Sequence, residues 1–107
     1  MTPTMPTVVA APATFNTINK MAAGIADTLA VALLCEGIGS RRPVIVVPWL
    51  NQALSTHGAY QRSLDYLVTE GVRIISDHIK SGEQLPWAEV LDELQEVANE
   101  RFSGQDL

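Results

Sequence analysis

Three short apolar runs alternate along the chain with longer patterns of helical period. The apolar runs cover residues 7–11, 44–47 and 72–75. Each run is continuous rather than alternating, which is typical of strands covered on both faces in a parallel sheet. The pattern therefore predicts three buried β-strands.

The helical patterns place apolar residues at spacings of three and four, as on one face of an amphipathic helix. One helix is predicted over residues 17–36, and Gly37 predicts its left-handed end. Gly71 predicts the same kind of end for a second helix. A third helix is predicted over residues 86–102, with Trp87 in the apolar stripe that faces the core.

The order of these elements is β-α-β-α-β-α. Strands that alternate with helices imply right-handed crossovers and a parallel sheet. We therefore expect an α/β fold, a three-layer Rossmann-like partial fold whose parallel sheet has about three strands. At 107 residues the chain is expected to form a single domain over residues 1–107.

Composition narrows the class of protein. Hydrophobic residues make up 47% of the chain and charged residues 18%, which excludes general disorder. A net charge of -5 argues against nucleic acid or an anionic membrane as the main partner. The apolar stretch 21–35 contains Asp27 and is shorter than the roughly twenty residues that a spanning helix needs. A cytoplasmic protein is expected, with the single cysteine, Cys35, as a small core residue.

Polar side chains follow two of the predicted strands. Thr14 and Asn16 come after the first strand and Asn51 after the second. Ligands of open α/β sheets bind beyond the carboxyl ends of the strands, where an amide can both donate and accept hydrogen bonds. The alternative is that these three residues only cap helices, since both residue types are common caps.

Residues 12–17, Pro-Ala-Thr-Phe-Asn-Thr, resemble the PASANT signature of the homo-oligomeric flavin-containing cysteine decarboxylases, the group that includes phosphopantothenoylcysteine decarboxylase. Residues 18–27 look like the helix that follows this signature. The second strand end is similar to the family's P-x-M-N-x-x-M-W motif, in a weakened form. Pro48 and Asn51 match, whereas the departures are Leu50, Leu54 and Ser55. The resemblance covers about residues 8–75, the carboxyl-terminal half of the family's fold.

This resemblance implies a cofactor and two kinds of site residue. In the family, the first loop lies beside FMN and helps to form the contact between subunits. The residues that match this cofactor-binding loop are Ala13, Thr14, Phe15, Asn16 and Thr17. The family's second loop closes over the substrate, and its Asn binds the substrate carboxylate. By match, that substrate-binding residue is Asn51.

The family's chain also opens with a half that carries a phosphate-binding loop and the catalytic His. Neither His57 nor His78 matches that catalytic position, and both are expected in loops or on the surface. We therefore expect weak or partner-dependent FMN binding and no decarboxylation by this chain alone. Whether the chain is part of an enzyme stays open. The alternatives are a non-catalytic oligomerisation or interaction domain that has lost the cofactor, or a fragment of a longer flavoprotein.

A partner is expected on physical grounds as well. The first strand is apolar and carries no charge, and it is central in the family's sheet, so here it should form an unpaired edge. A homo-oligomer or a separate amino-terminal half would cover that edge. Other chemistry has little support, because Asp77 and His78 have no third metal ligand nearby. The charges that face outward on the last helix are expected to be solvated, namely Glu89, Asp92, Glu93 and Glu96.

Overall fold

The computed structural model describes residues 7–75 and 87–105. It confirms an α/β fold with a parallel sheet of three strands, whereas the described residues form five helices rather than the three predicted. The strands are β1 (Val8–Ala13), β2 (Val44–Pro48) and β3 (Arg73–Ile74). The helices are α1 (Phe15–Ala23), α2 (Leu29–Gly39), α3 (Gln52–Ser55), α4 (Gly58–Thr69) and α5 (Trp87–Gln105).

The strands follow one another in the order β1-β2-β3, and both pairs are parallel. Every residue of the central strand β2 is buried, as its continuous apolar run predicts. The first strand is predicted over residues 7–11, but β1 continues through Pro12 to Ala13. The ladder is irregular between Ala10 and Ala13 and resumes where Ala13 pairs with Pro48. This irregular part of the ladder contains Pro12, which has no backbone N–H to donate.

The helices form a layer on each side of the sheet. Helices α1, α2 and α4 pack against the face that carries Val44 and Val46. Helix α5 packs against the opposite face, beside Ile45 and Val47. Right-handed crossovers that proceed in one direction along a sheet place their helices on one face, which explains why the connections of β1 to β2 and of β2 to β3 share a layer.

The single helix predicted over residues 17–36 is wrong, because the structure contains two helices there. Helix α1 ends where Gly24 adopts φ +74°, a left-handed cap that glycine tolerates. Helix α2 begins after Thr28, whose side chain accepts a hydrogen bond from the Val31 N–H at 3.2 Å. Lys20 Nζ lies 2.6 Å from Asp27 Oδ2, and this salt bridge links α1 to the segment between the two helices. Local capping therefore overrides a hydrophobic period that runs through the break.

Gly37 is not the predicted left-handed end of this helix either. Helix α2 continues to Gly39, and the left-handed residue of the following turn is Arg41, with φ 63°. Gly37 instead marks a close approach of α2 to the sheet. A Cβ atom there would lie 3.2 Å from Val44 Cγ2 and 3.3 Å from Val8 Cγ2. The prediction for Gly71 is confirmed, since its φ is +87°.

Helix α5 agrees with its prediction only in part. Val90 and Val97 are buried, but Trp87 is 54% exposed rather than part of the core. Of the four acidic residues expected to be solvated, three are exposed and Glu93 is half-buried. Arg73 on β3 forms ion pairs with three carboxylates of this helix. These are Glu93 at 3.3 Å, Glu96 at 3.6 Å and Glu100. Among the described residues, no helix is long and apolar enough to cross a membrane.

Candidate functional site

The carboxyl ends of β1 and β2 lie side by side at one edge of the sheet. The Trp49 N–H donates a hydrogen bond to the Ala13 carbonyl at 2.9 Å, which joins the two strand ends directly. Parallel pairing therefore brings the two polar loops, residues 12–17 and 48–51, to the same place. This edge is where open α/β sheets bind ligands.

Thr14 is the N-cap of α1. Its hydroxyl oxygen accepts a hydrogen bond from the Thr17 N–H at 3.2 Å, and its hydroxyl donates to Thr17 Oγ1 at 3.1 Å. The capping interpretation is thus correct for Thr14. The arrangement directs the amino-terminal end of α1, with its remaining backbone N–H groups, toward the edge of the sheet.

Asn16 lies in the first turn of α1 and does not cap the helix. Its side chain is exposed and forms no hydrogen bond with any residue within 7–75 or 87–105. The capping interpretation is therefore wrong for this residue. An amide without an intramolecular partner offers two donors and an acceptor to a ligand.

Phe15 anchors the loop to the neighbouring helix α4. Its ring makes an edge-on contact with His57 at 5.4 Å between centroids and lies over Tyr60 at 6.4 Å with an interplanar angle of 26°. Such aromatic pairs favour a defined orientation of the two elements that they join. Ala13 is buried, and its carbonyl accepts the hydrogen bond from the Trp49 N–H. It is therefore less accessible to a ligand than the rest of the loop.

Asn51 lies at the end of β2 and is the N-cap of the short helix α3. Its Oδ1 accepts a hydrogen bond from the Leu54 N–H at 2.9 Å. The capping interpretation is correct here too, but it accounts only for the carbonyl oxygen of the amide and not for its NH₂ group. The NH₂ group of Asn51 donates to none of the residues that the structure describes, and the side chain is exposed. The cap therefore orients an amide whose donors remain available.

Two features of the site were not found from the sequence. The side chains of His57 and Tyr60 position Phe15, and Ser63 donates a hydrogen bond to Asn19 Oδ1 at 2.7 Å, which ties α4 to α1. These contacts join segments with no local signal that relates them. Together they fix the first turn of α1, and so the place of Asn16, relative to α4.

The histidine predictions have different outcomes. His57 is exposed, and its Nδ1 accepts a hydrogen bond from the Ala59 N–H at 3.0 Å, which makes it the N-cap of α4. This agrees with a loop histidine. His78 and its neighbour Asp77 lie outside the described residues. Within the described part of the chain, no group of three His, Cys, Asp or Glu side chains is placed to bind a metal ion.

Comparisons with known proteins identify the family of this chain. A family model described as Flavoprotein matches residues 4–99. A curated relative, a cysteine/cysteine sulfinic acid decarboxylase from an unknown prokaryotic organism, is 48% identical over 65 residues, which are 61% of this chain and 17% of the relative.

Two solved structures are similar in both fold and sequence. The FMN-dependent cysteine decarboxylase TvaF from thioviridamide biosynthesis matches with a TM-score of 0.69 and 30% identity over 87% of this chain and 50% of its own. The FMN-dependent cysteine decarboxylase SpaF matches with a TM-score of 0.58 and 35% identity over 64% and 37%. The chain thus spans half or less of the length of these relatives. Because the family model covers most of the sequence, the chain belongs to the flavoprotein family.

Proposed function

We propose that this chain forms one side of the FMN site of a decarboxylase-like flavoprotein and is not catalytically competent by itself. The observation that carries the proposal is the free amide of Asn16, which lies at the carboxyl end of β1 beside the loop that carries Asn51. Two relatives of known structure, TvaF and SpaF, are FMN-dependent cysteine decarboxylases. The rest of the fold would come from the same polypeptide or from another.

The residues present fit the ring of a flavin better than its phosphate. A flavin ring presents N–H and carbonyl groups along one edge, and Asn16 can pair with either kind. A phosphate group requires cations or several free backbone N–H groups. The two loops and the short helix α3, residues 12–17 and 48–55, contain no Lys or Arg, and Thr14 already occupies one N–H of the first turn of α1. In this proposal residues 13–17 contact the ring side, and FMN, when bound, supplies a two-electron acceptor.

Asn51 is proposed to bind a substrate carboxylate through its NH₂ group. The hydrogen bond from the Leu54 N–H to Asn51 Oδ1 holds the amide plane in place, so the fold sets the direction in which the NH₂ group donates. The family's two Met positions are Leu50 and Leu54 here, and both pack into the core around α3. These departures preserve the anchoring of α3, while Ser55 in place of Trp changes the cover over the substrate.

The second candidate function is a non-catalytic interaction domain that has lost the cofactor. It is favoured by one observation: two of the three candidate polar side chains, Thr14 and Asn51, form caps. In either case we propose that the chain works in an assembly, as a homo-oligomer or with a separate amino-terminal half. The proposed location is the cytoplasm, which fits the acidic charge and the single Cys35.

A parallel titration with FMN and riboflavin tests the proposal. The two ligands share the ring and differ in the phosphate, so a site that has only the ring side should bind both weakly and with similar affinity. Flavin fluorescence reports both titrations. Tight, stoichiometric binding of FMN but not of riboflavin would show a phosphate site in this chain and overturn the half-site. Binding of neither ligand would favour the interaction domain.

A further inference from the structure

The two tryptophans of the chain lie at the carboxyl edge of the sheet, on the face that carries α5. Trp49 follows β2 directly, and Trp87 is the first residue of α5. Trp49 is half-buried and Trp87 is 54% exposed, and neither belongs to the two apolar clusters of the described residues. Filling of the core therefore does not explain why these two positions carry so large a side chain.

Trp49 shares its face of the sheet with Val47, because successive residues of a strand point to opposite faces. Val46 belongs to the cluster under α1, α2 and α4, whereas Val47 belongs to the cluster under α5. Leu50 belongs to the first of these clusters, so the alternation continues beyond the last residue of β2. The side chain of Trp49 is therefore directed to the α5 side, one strand period beyond Val47.

The backbone around Trp49 is held in place at the candidate site. Pro48 and Leu50, its neighbours in the chain, are both buried. The Trp49 N–H donates to the Ala13 carbonyl at 2.9 Å, and Ala13 leads directly into the loop that carries Asn16. The fold therefore fixes the position from which the indole extends, beside the loop proposed to contact the flavin ring.

Trp87 reaches the same edge because α5 runs antiparallel to β3. Ile75, which follows β3, lines a cleft with Glu89 near the start of the helix. Arg73, two residues earlier in the chain, pairs with Glu100, about three turns further along the helix. The first turn of α5 therefore lies at the carboxyl end of the strands.

Contacts in the cluster under α5 set the heights of the two indoles. Val90 packs with Val47 and Ile75 in that cluster. Toward the carboxyl edge, Trp49 lies two strand residues beyond Val47, which is about 6.6 Å. Trp87 lies three helical residues before Val90, which is about 4.5 Å along the helix axis. The two side chains therefore lie at similar distances beyond the same buried contact.

Trp87 also lies on the flank of α5 that is turned away from β3. Glu96 pairs with Arg73 of β3, and Trp87 is half a turn from Glu96 around the helix. Because the strand order is β1-β2-β3, this flank is directed toward the side of β2 and β1. The aromatic contacts of the described residues do not include one between the two indoles. The two rings thus border the ends of β1 and β2 without covering each other.

We propose that Trp49 and Trp87, the tryptophan pair, bind the flavin ring by stacking against it at the carboxyl edge of the sheet. This inference rests on the proposed function and assigns the ring contacts on the side of the sheet that α5 covers. Indole faces bind flat heteroaromatic rings, and each such contact contributes measurably to affinity. In this arrangement the polar edge of the ring meets Asn16, and the indoles contact its flat face.

The charges around the tryptophan pair favour the ring over the phosphate of FMN. Glu89, Asp92 and Glu93 line the cleft at the start of α5, and Arg73 pairs with one of them, Glu93. Carboxylates repel a phosphate group but have no such effect on an uncharged ring. The tryptophan pair therefore suits riboflavin as well as FMN.

Riboflavin binding to variants of the purified chain tests the proposal, with affinity measured by equilibrium dialysis. Trp49→Ala and Trp87→Ala should each weaken binding about three- to tenfold, because each removes one ring contact. Trp49→Phe and Trp87→Phe keep a flat ring and should lose less affinity. Leu91→Ala is the matched control, since Leu91 is 63% exposed one turn along α5 and its substitution removes apolar surface without removing a ring.

The emission of bound riboflavin is a second readout, which a purely structural role would not change. An indole in contact with an excited flavin quenches its emission by electron transfer, whereas a phenyl ring does not. Each Phe variant should therefore raise the emission of bound riboflavin relative to the unsubstituted chain. Tm should change little in the tryptophan variants, since neither indole belongs to an apolar cluster of the described residues.

Two results would overturn the tryptophan pair while leaving the proposed function in place. One is riboflavin affinity that both Ala substitutions leave unchanged or, where an Ala variant fails to fold, riboflavin emission that the corresponding Phe substitution leaves unchanged. The other is an effect of only one tryptophan, which would reduce the pair to a single contact. If the unsubstituted chain binds no riboflavin, the proposed function fails and the inference fails with it, so the two kinds of failure are distinguishable.

Discussion

Substitution of Asn16 should separate ligand binding from stability. Asn16 is exposed in the first turn of α1 and its side chain makes no hydrogen bond to a described residue, so Asn16→Ala removes no hydrogen bond within the described part of the chain. Alanine is also the better helix former. We expect the free energy of unfolding to change by less than about 0.5 kcal/mol. Loss of one neutral hydrogen bond to the flavin should weaken binding about two- to tenfold.

Thr14→Ala provides the matched comparison. It removes the cap in which Thr14 Oγ1 accepts from the Thr17 N–H at 3.2 Å. Loss of such a cap costs about 1 kcal/mol. In a domain of this size that change lowers Tm by about 4–8 °C. Asn16→Asp adds a further contrast, since a negative charge in the first turn of a helix stabilises it while the amide donors are lost.

Thermal denaturation and a riboflavin titration followed by fluorescence measure the two effects on the same samples. The expected pattern is unchanged or raised Tm with weaker flavin binding for both Asn16 variants, and lowered Tm for Thr14→Ala. The reasoning is refuted if Asn16→Ala lowers stability by about 1 kcal/mol, the value for a lost cap, while flavin affinity is unchanged. Asn16 would then act in the fold and not at a site.

Three further predictions concern other contacts. Asn51→Asp keeps an oxygen that can accept from the Leu54 N–H but replaces the amide donors by a negative charge. Tm should therefore be unchanged while titration shows weaker binding of a carboxylate ligand, and equal binding would contradict the role of Asn51. Arg73→Gln should lower stability by about 1 kcal/mol in low salt and by less in high salt, whereas Arg62→Gln, without an ion pair to a described residue, should change neither denaturation curve. The hydrogen bond from Lys20 holds the pKa of Asp27 below its ordinary 3.8, so the pair stabilises the fold above pH 3.8 and loses this effect as the pH falls through the lowered pKa. In acid denaturation, Asp27→Asn should lack that loss of stability. An acid denaturation curve that the substitution leaves unchanged would exclude the pair as its source.

The sequence predicts the candidate site better than it predicts the state of its side chains. The Pro residues and small polar residues after two apolar runs mark two strand ends, and parallel pairing places those ends together. The capping preference of Thr and Asn is also a local property, and it is confirmed for Thr14 and Asn51. Asn16 would be the cap if the helix began at residue 17, as predicted. The helix begins two residues earlier, at Phe15, so Asn16 lies within its first turn.

The errors in the predicted helices have a common cause. Hydrophobic periodicity runs through residues 17–36 without interruption, but it does not report the left-handed Gly24 or the cap at Thr28 that together break the helix. Trp87 fits the apolar stripe of α5 by spacing alone, yet its side chain is 54% exposed. Periodicity identifies the apolar side of a helix but not the width of the surface that will cover it.

The sequence by itself determined the alternation of strands and helices, the parallel sheet and the two polar loops at its edge, because each depends on residues that are neighbours along the chain. Tertiary structure alone decided the contacts of Phe15 with His57 and Tyr60, and the pairing of Arg73 with the carboxylates of α5. These features join distant segments, and their formation depends on the distances at which the layers pack.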